Sequence, residues 1–103
     1  MSIAHLNNTN FDTEISSGIV FVDFYADWCG PCKIMSPILE ELATEMTDVK
    51  FVKVDVDAEM ELSQKYGVMS IPTFVVFKDG KQVGGFIGAR DKQSTKAEIE
   101  KAR

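Results

Sequence analysis

The sequence predicts an α/β domain, and three observations support it. Residues 19–26, Ile19-Val20-Phe21-Val22-Asp23-Phe24-Tyr25-Ala26, are almost unbroken β-branched and aromatic. Such a run reads as a strand buried on both faces, at the centre of a parallel or mixed sheet. From Ile34 onward the apolar positions fall at 34, 35, 38, 39, 42, 43 and 46, which places them along one side of a helix. Further strand and helix patterns follow to the end of the 103 residues, which read as a single domain, 1–103.

Ile3 to Leu6 reads as a short edge strand. Thr9 or Asn10 is placed to cap a helix through about Ser17, with Phe11 and Ile15 facing the core. The helix after residue 30 runs to about Thr47 and contains Pro37, which removes one hydrogen bond and is expected to kink it near Ile34. Residues 50–57 alternate, with Val52, Val54 and Val56 on one face and Phe51, Lys53, Asp55 and Asp57 on the other. Ala58 to Tyr66 reads as a short helix that Gly67 is suited to cap.

Pro72 leads a strand over 74–78, and Asp79-Gly80 turns it into a second over 81–87. Gly84-Gly85 in that second strand signals a bulge or an exposed edge. Asp91 caps a last helix towards Arg103, for which Ile99, with weaker help from Ala97 and Ala102, is the only apolar anchor. Packing normally holds such a helix, so a short or loosely docked one is expected.

A hydrophobic fraction of 45% with 26% charged residues is that of a soluble globular protein. The net charge of −5 argues against nucleic acid or an anionic membrane as partner, since both require clustered Lys and Arg. No apolar run approaches the roughly 20 residues that span a bilayer. The opening Met1–Asn8 carries neither a basic region nor an apolar core of a secretory leader, so a cytoplasmic location is expected. In such a reducing compartment two cysteines are a catalytic pair rather than a staple. The single histidine, His5, has nothing beside it to make it a ligand or base.

Both cysteines lie in Trp28-Cys29-Gly30-Pro31-Cys32-Lys33, where the strand pattern gives way to the helical one. Pro31 fits a first helical turn, because its missing N–H would have had no partner there. Cysteines at i and i+3 of that turn have Cβ atoms roughly 5–6 Å apart, close to what a disulfide requires. The pair can therefore be dithiol or disulfide on one backbone. Cys29 sits at the helix end, where unpaired N–H groups and the macrodipole favour a thiolate, so it is expected to attack. Cys32, a turn further in, is expected to be less exposed and to resolve the mixed disulfide.

Asp23 interrupts the buried strand, and a carboxylate there must be hydrogen-bonded, paired or protonated. It is either a satisfied structural aspartate or a buried acid–base group beneath the cysteines. Structural zinc wants four Cys or His ligands, and Cys29, Cys32 and the remote His5 do not supply them, so no metal is expected. Only a site shared across a dimer would meet that need. An interaction module with dispensable thiols is a third reading, and nothing in the residues selects it.

At these residues the chain resembles the thioredoxins, and Val22-Asp23-Phe24, the Cys29-Gly30-Pro31-Cys32 motif, Ile71-Pro72-Thr73 and Gly88 follow in the family's order. The resemblance implies the thioredoxin fold, a central mixed sheet of about five strands flanked by about four helices. It implies reduction of disulfide-containing client proteins by a monomer. No cofactor is bound, and the electrons come from NADPH through a separate thioredoxin reductase. Gly30-Pro31 resembles reducing members of the family rather than oxidising ones.

By the same resemblance Asp23 helps move the proton of Cys32, and Lys53 lies near it. Pro72 is expected to be cis, to pack against the cysteines and to expose Ile71 for backbone contact with a client. Trp28 matches an exposed tryptophan beside the nucleophile, against the alternative of simple packing. A side chain at Gly88 would obstruct the client. Pro37 matches the family as well. Thr95 and Glu98 depart from it, since they stand where large apolar residues are usual.

Overall fold

The computed structural model describes residues 3–103; Met1 and Ser2, which open the stretch read for a leader, lie outside them. The elements are β1 (Ala4–His5), α1 (Phe11–Glu14), β2 (Ile19–Tyr25), α2 (Gly30–Glu45), β3 (Val49–Asp55), α3 (Met60–Lys65), β4 (Thr73–Lys78), β5 (Lys81–Ile87) and α4 (Lys92–Glu100). The five strands form one sheet in the order β1-β3-β2-β4-β5. β3 runs parallel to both β1 and β2, whereas β4 is antiparallel to β2 and to β5, so the sheet is mixed.

The run over 19–26 is the central strand because both of its faces are apolar. On one face Phe21 meets Phe51, Phe74 and Phe86 beneath Met35, Leu39 and Leu42 of α2 and Ile99 of α4. On the other, Val20, Val22 and Phe24 pack with Phe11, Ile15, Leu62 and Phe77. β3 is likewise packed on both sides at its middle. Phe51, expected on the polar side, is buried in the first cluster, and only Lys53 and Asp55 beyond it are half-buried. Ile34, the first position of the helical pattern, is exposed, while Met35, Leu39 and Leu42 form the buried stripe of α2.

α1 is shorter than the helix expected through Ser17, and Asn10 makes no capping bond to it. Asn10 Oδ1 accepts instead from the N–H of Asn7, and Asn7 Oδ1 accepts from the N–H groups of Thr9 and Asn10. Polar side chains that favour caps also favour such local turns, and here the turn wins.

α4 corrects the expectation of a loosely docked helix. Thr95 and Ile99 are fully buried, Ala102 is buried, and Ala97 faces solvent. Thr95 tolerates burial because its hydroxyl donates to the Asp91 carbonyl at 2.9 Å, while the Asp91 carboxylate caps the N–H of Ser94 at 2.7 Å. Lys92 pairs with Glu45, and the Arg103 guanidinium bonds Asp48 at 2.6 Å. These pairs are exposed and contribute little. The buried residues and the satisfied threonine hold the helix, which ends at Glu100 rather than Arg103.

Asp79 and Gly80 form the two-residue turn from β4 to β5. The ladder pairs Phe77 with Gln82 but Val76 with Gly84, which leaves Val83 as the extra residue of a bulge next to the glycine pair. Gly85 is required by its neighbour: at φ +150, a Cβ there would lie 2.2 Å from the Phe74 carbonyl oxygen. Backbone cannot yield as a flexible side chain does. Gly85→Ala is therefore expected to destabilise the protein by about 2–3 kcal/mol, read as a lower urea midpoint.

Candidate active site

β2 delivers the chain to the N-terminus of α2 through Ala26, Asp27 and Trp28, and Cys29 is the N-cap. Its extended backbone (φ −87, ψ 113) leaves the sulfur facing the first turn, where Sγ accepts the N–H of Cys32 at 3.2 Å. Pro31 occupies that turn as expected. Cys29 and Cys32 are joined as a disulfide, with Cα atoms 5.3 Å apart. The leading sulfur thus lies at the positive end of a helix of 16 residues, the place that stabilises a thiolate.

Cys32 is not the less exposed of the two. Cys29 is 3% and Cys32 4% accessible. The bond holds Cys29 over the helix end, where Ala26, Val56 and Ile71 cover the pair together.

Asp23 lies in the same region of β2, buried, and its Oδ1 finds no hydrogen-bond partner among the described residues. Burial pushes its carboxyl from 3.8 up to about 7, against the opposing pull of the Lys53 ammonium. Lys53 is its register partner on β3, with Nζ 5.0 Å from the centroid of the Tyr25 ring. Asp23, Lys53, Tyr25 and Cys32 line one cleft with Asp27, Lys33 and Ser36. Cys32 and the Asp23 carboxyl therefore border the same cleft.

The Ile71–Pro72 peptide is cis, and the Pro72 carbonyl accepts the N–H of Gly88 at 2.8 Å. A Cβ on Gly88 would meet nothing within 4 Å, so a side chain there would project into the open space beside Pro72. Trp28 is 70% exposed, and its indole N–H donates to Asp57 at 2.9 Å. Gly30 and Pro31 are exposed next to it. Trp28, Val56, Val68, Met69, Ser70 and Ile71 line an apolar groove. Because Val56 and Ile71 also pack against the cysteines, the groove runs up to the disulfide.

The structure brings Asp23, Lys53 and Cys32 to one cleft and Trp28 and Ile71 to one groove, and it links Pro72 to Gly88 by a hydrogen bond. His5 stands at the edge of the sheet, exposed, with its ring 5.8 Å from that of Tyr25. Sequence reasoning missed Tyr25, Val56 and Met69. Tyr25 was legible as the same-face neighbour of Asp23, two residues on; Val56 and Met69 become neighbours of Trp28 only in the folded chain. Among the described residues no group of three or more His, Cys, Asp or Glu side chains is placed to hold a metal ion. No helix among them is long and apolar enough to cross a membrane.

The thioredoxin family model matches residues 2–101. The chain belongs to the thioredoxin family. It is 47% identical over 102 residues to a thioredoxin of Bacillus subtilis, covering 98% of each chain. A thioredoxin of Chlamydia muridarum is 48% identical over 89 residues, 86% of this chain and 87% of that one. A solved structure of Plasmodium falciparum thioredoxin is 40% identical and superposes with a TM-score of 0.91 over 98% of this chain and 100% of that one. Mitochondrial thioredoxin 3 of Saccharomyces cerevisiae, in its oxidised form, gives 0.89 at 40% identity over 96% and 94%.

As a member of the thioredoxin family, the protein is a thiol–disulfide oxidoreductase. It reduces protein disulfides by dithiol–disulfide exchange through Cys29 and Cys32, and a thioredoxin reductase recycles the oxidised pair. The bonded cysteines are the oxidised form of that couple.

Proposed function

We propose that Cys29 is the attacking sulfur and Cys32 the resolving one. The Cys29 thiolate attacks a client disulfide, forming a mixed disulfide and expelling one client thiolate. Cys32 then loses its proton and attacks Cys29 Sγ; the second client thiolate leaves, and the Cys29–Cys32 bond forms. Two electrons pass to the client. The observation that carries this order is the Cys29 sulfur at the N-terminus of α2, held by the Cys32 N–H.

Asp23 is the base that receives the Cys32 proton through their common cleft; burial raises its carboxyl, and the Lys53 ammonium across the ladder limits that rise. Trp28, Gly30, Pro31, Ile71, Pro72 and Gly88 form the surface on which an extended client segment lies. Exposure of Trp28 and the open space beside Gly88 support that surface. The 103 residues act as one domain, as a monomer, in the cytoplasm, with NADPH as the ultimate donor and no bound cofactor.

The test is NADPH oxidation coupled to reduction of a protein disulfide in the presence of a thioredoxin reductase. Turnover that requires both proteins and stops on Cys29→Ser is expected. Turnover that persists in that variant would remove the assignment of the nucleophile.

A further inference from the structure

Glu98 is a carboxylate on α4 whose side chain is only 12% exposed. Its carboxylate is fully engaged. Oε2 accepts the N–H of Gly85 at 3.2 Å, and Oε1 lies 3.2 Å from Lys101 Nζ and 3.7 Å from Arg90 Nη1. The glycine pair of β5 makes this approach possible. A Cβ at position 84 would come within 2.9 Å of Glu98 Oε2. The bulge at Val83 and the two glycines thus clear a path from α4 to the backbone of an edge strand.

Gly85 and Arg90 bracket the segment that carries Gly88. Within it, the Gly88 N–H bonds the Pro72 carbonyl. At its far end the Arg90 guanidinium lies 4.1 Å from the centre of the Phe86 ring, and the Arg90 N–H meets Met35 Sδ at 3.4 Å. Met35 is three residues after Cys32 on α2. One carboxylate therefore contacts both ends of residues 85–90, and the middle of that segment is bonded to Pro72, the residue after Ile71, which packs on the cysteine pair. Residues 85–87 end β5 and residues 88–90 leave it, and charge-assisted contacts from a rigid helix restrict such a strand end and the turn beyond it.

From this arrangement we infer that Glu98 is a positioning residue for protein-disulfide reduction, clamping residues 85–90 so that Gly88 and Pro72 keep the spacing a client segment needs. The inference rests on the reading of Gly88 and Pro72 as client-facing. It gives a largely covered carboxylate on α4 a task that packing alone would not require.

The experiment compares Glu98→Leu and Glu98→Gln on two substrates, insulin as a protein disulfide and dithiobis(nitrobenzoate) as a small one that needs no extended surface. Glu98→Leu is expected to raise KM for insulin about three- to tenfold, the effect of losing one or two net hydrogen bonds. kcat for insulin and the rate with the small disulfide should stay within about twofold. Glu98→Gln keeps an acceptor for the Gly85 N–H and should recover part of the loss. An unchanged KM for insulin in Glu98→Leu overturns the proposal, and so does an equal slowing on both substrates, which marks a merely structural role.

Gly88→Asn separates this from the reading beneath it, because Asn tolerates positive φ and adds a side chain to the open space. If Gly88→Asn raises KM for insulin and Glu98→Leu does not, only the positioning role fails. If Gly88→Asn leaves that KM unchanged, the client-facing reading fails and takes the positioning role with it.

Discussion

Cys29→Ser is expected to reduce protein-disulfide turnover to the uncatalysed background, whereas Cys32→Ser should bind clients and fail to release them. A serine hydroxyl at the end of α2 neither ionises near neutral pH nor attacks a disulfide, so the first step is lost. With Cys32 replaced, Cys29 still occupies the N-cap, where the backbone N–H of residue 32 bonds its sulfur. It attacks, and the mixed disulfide then has no internal thiolate to resolve it. Non-reducing electrophoresis or intact-mass measurement after incubation with oxidised insulin reads the outcome. Adducts on Cys32 in the Cys29→Ser variant, with none on Cys29 in the other, would reverse the two roles.

Asp23→Asn should make the protein more stable and slower at once. The carboxyl is raised from its ordinary 3.8 to about 7 in the fold. Between about pH 4 and pH 7 the folded protein therefore holds a proton that the unfolded chain has released. Stability falls as pH rises through this window and levels off above it. The full displacement corresponds to about 4 kcal/mol, since each pH unit is about 1.4 kcal/mol. Asparagine has nearly the same shape and never carries the charge. Asp23→Asn is expected to unfold at higher urea than the parent at about pH 8, with a gain of about 2–4 kcal/mol, and to match it near pH 4.

The same substitution removes the group proposed to take the Cys32 proton. Release of client from the mixed disulfide should slow by about a hundredfold at pH 8, the low end of what a positioned base supplies. In the parent that release should fall away below about pH 7 as Asp23 becomes protonated, and in the variant this inflection should vanish. Equal stability at pH 8 together with unchanged release would leave Asp23 without either property.

What the sequence made legible were the elements whose burial is periodic and apolar. β2 announces itself because Phe21 and Val22 face two different cores. α2 does so through Met35, Leu39 and Leu42, and the turn through Asp79-Gly80. α4 is harder to read because its fixing is partly polar. Hydropathy counts Thr95 and Glu98 against burial and cannot see that the Asp91 carbonyl one turn back and the Gly85 N–H on β5 satisfy them. α1 falls short of its expected length because Asn10 has two uses, and the sequence does not say that its side chain folds back on Asn7.

The site divides in the same way. The sulfurs at a helix start followed from local spacing, and the Asp23 anomaly from one charge in an apolar run. That Lys53 is its partner needed the β2–β3 register, and that Val56 and Met69 flank Trp28 needed the fold. The cis bond at Pro72 was reached through family resemblance alone; its neighbours in sequence carry no such signal. The near-equal cover of the two cysteines escaped because burial at a helix end is set by what packs over it, here Val56 and Ile71.

The most direct measurement is a pH titration of the reduced protein in which each sulfur is followed separately, by thiolate absorbance in the two single-serine variants. With its sulfur at the positive end of α2, Cys29 is expected to ionise well below the ordinary cysteine value of about 8.5. A Cys29 that titrates at about 8.5 or above would contradict the claim that the helix end makes it the nucleophile.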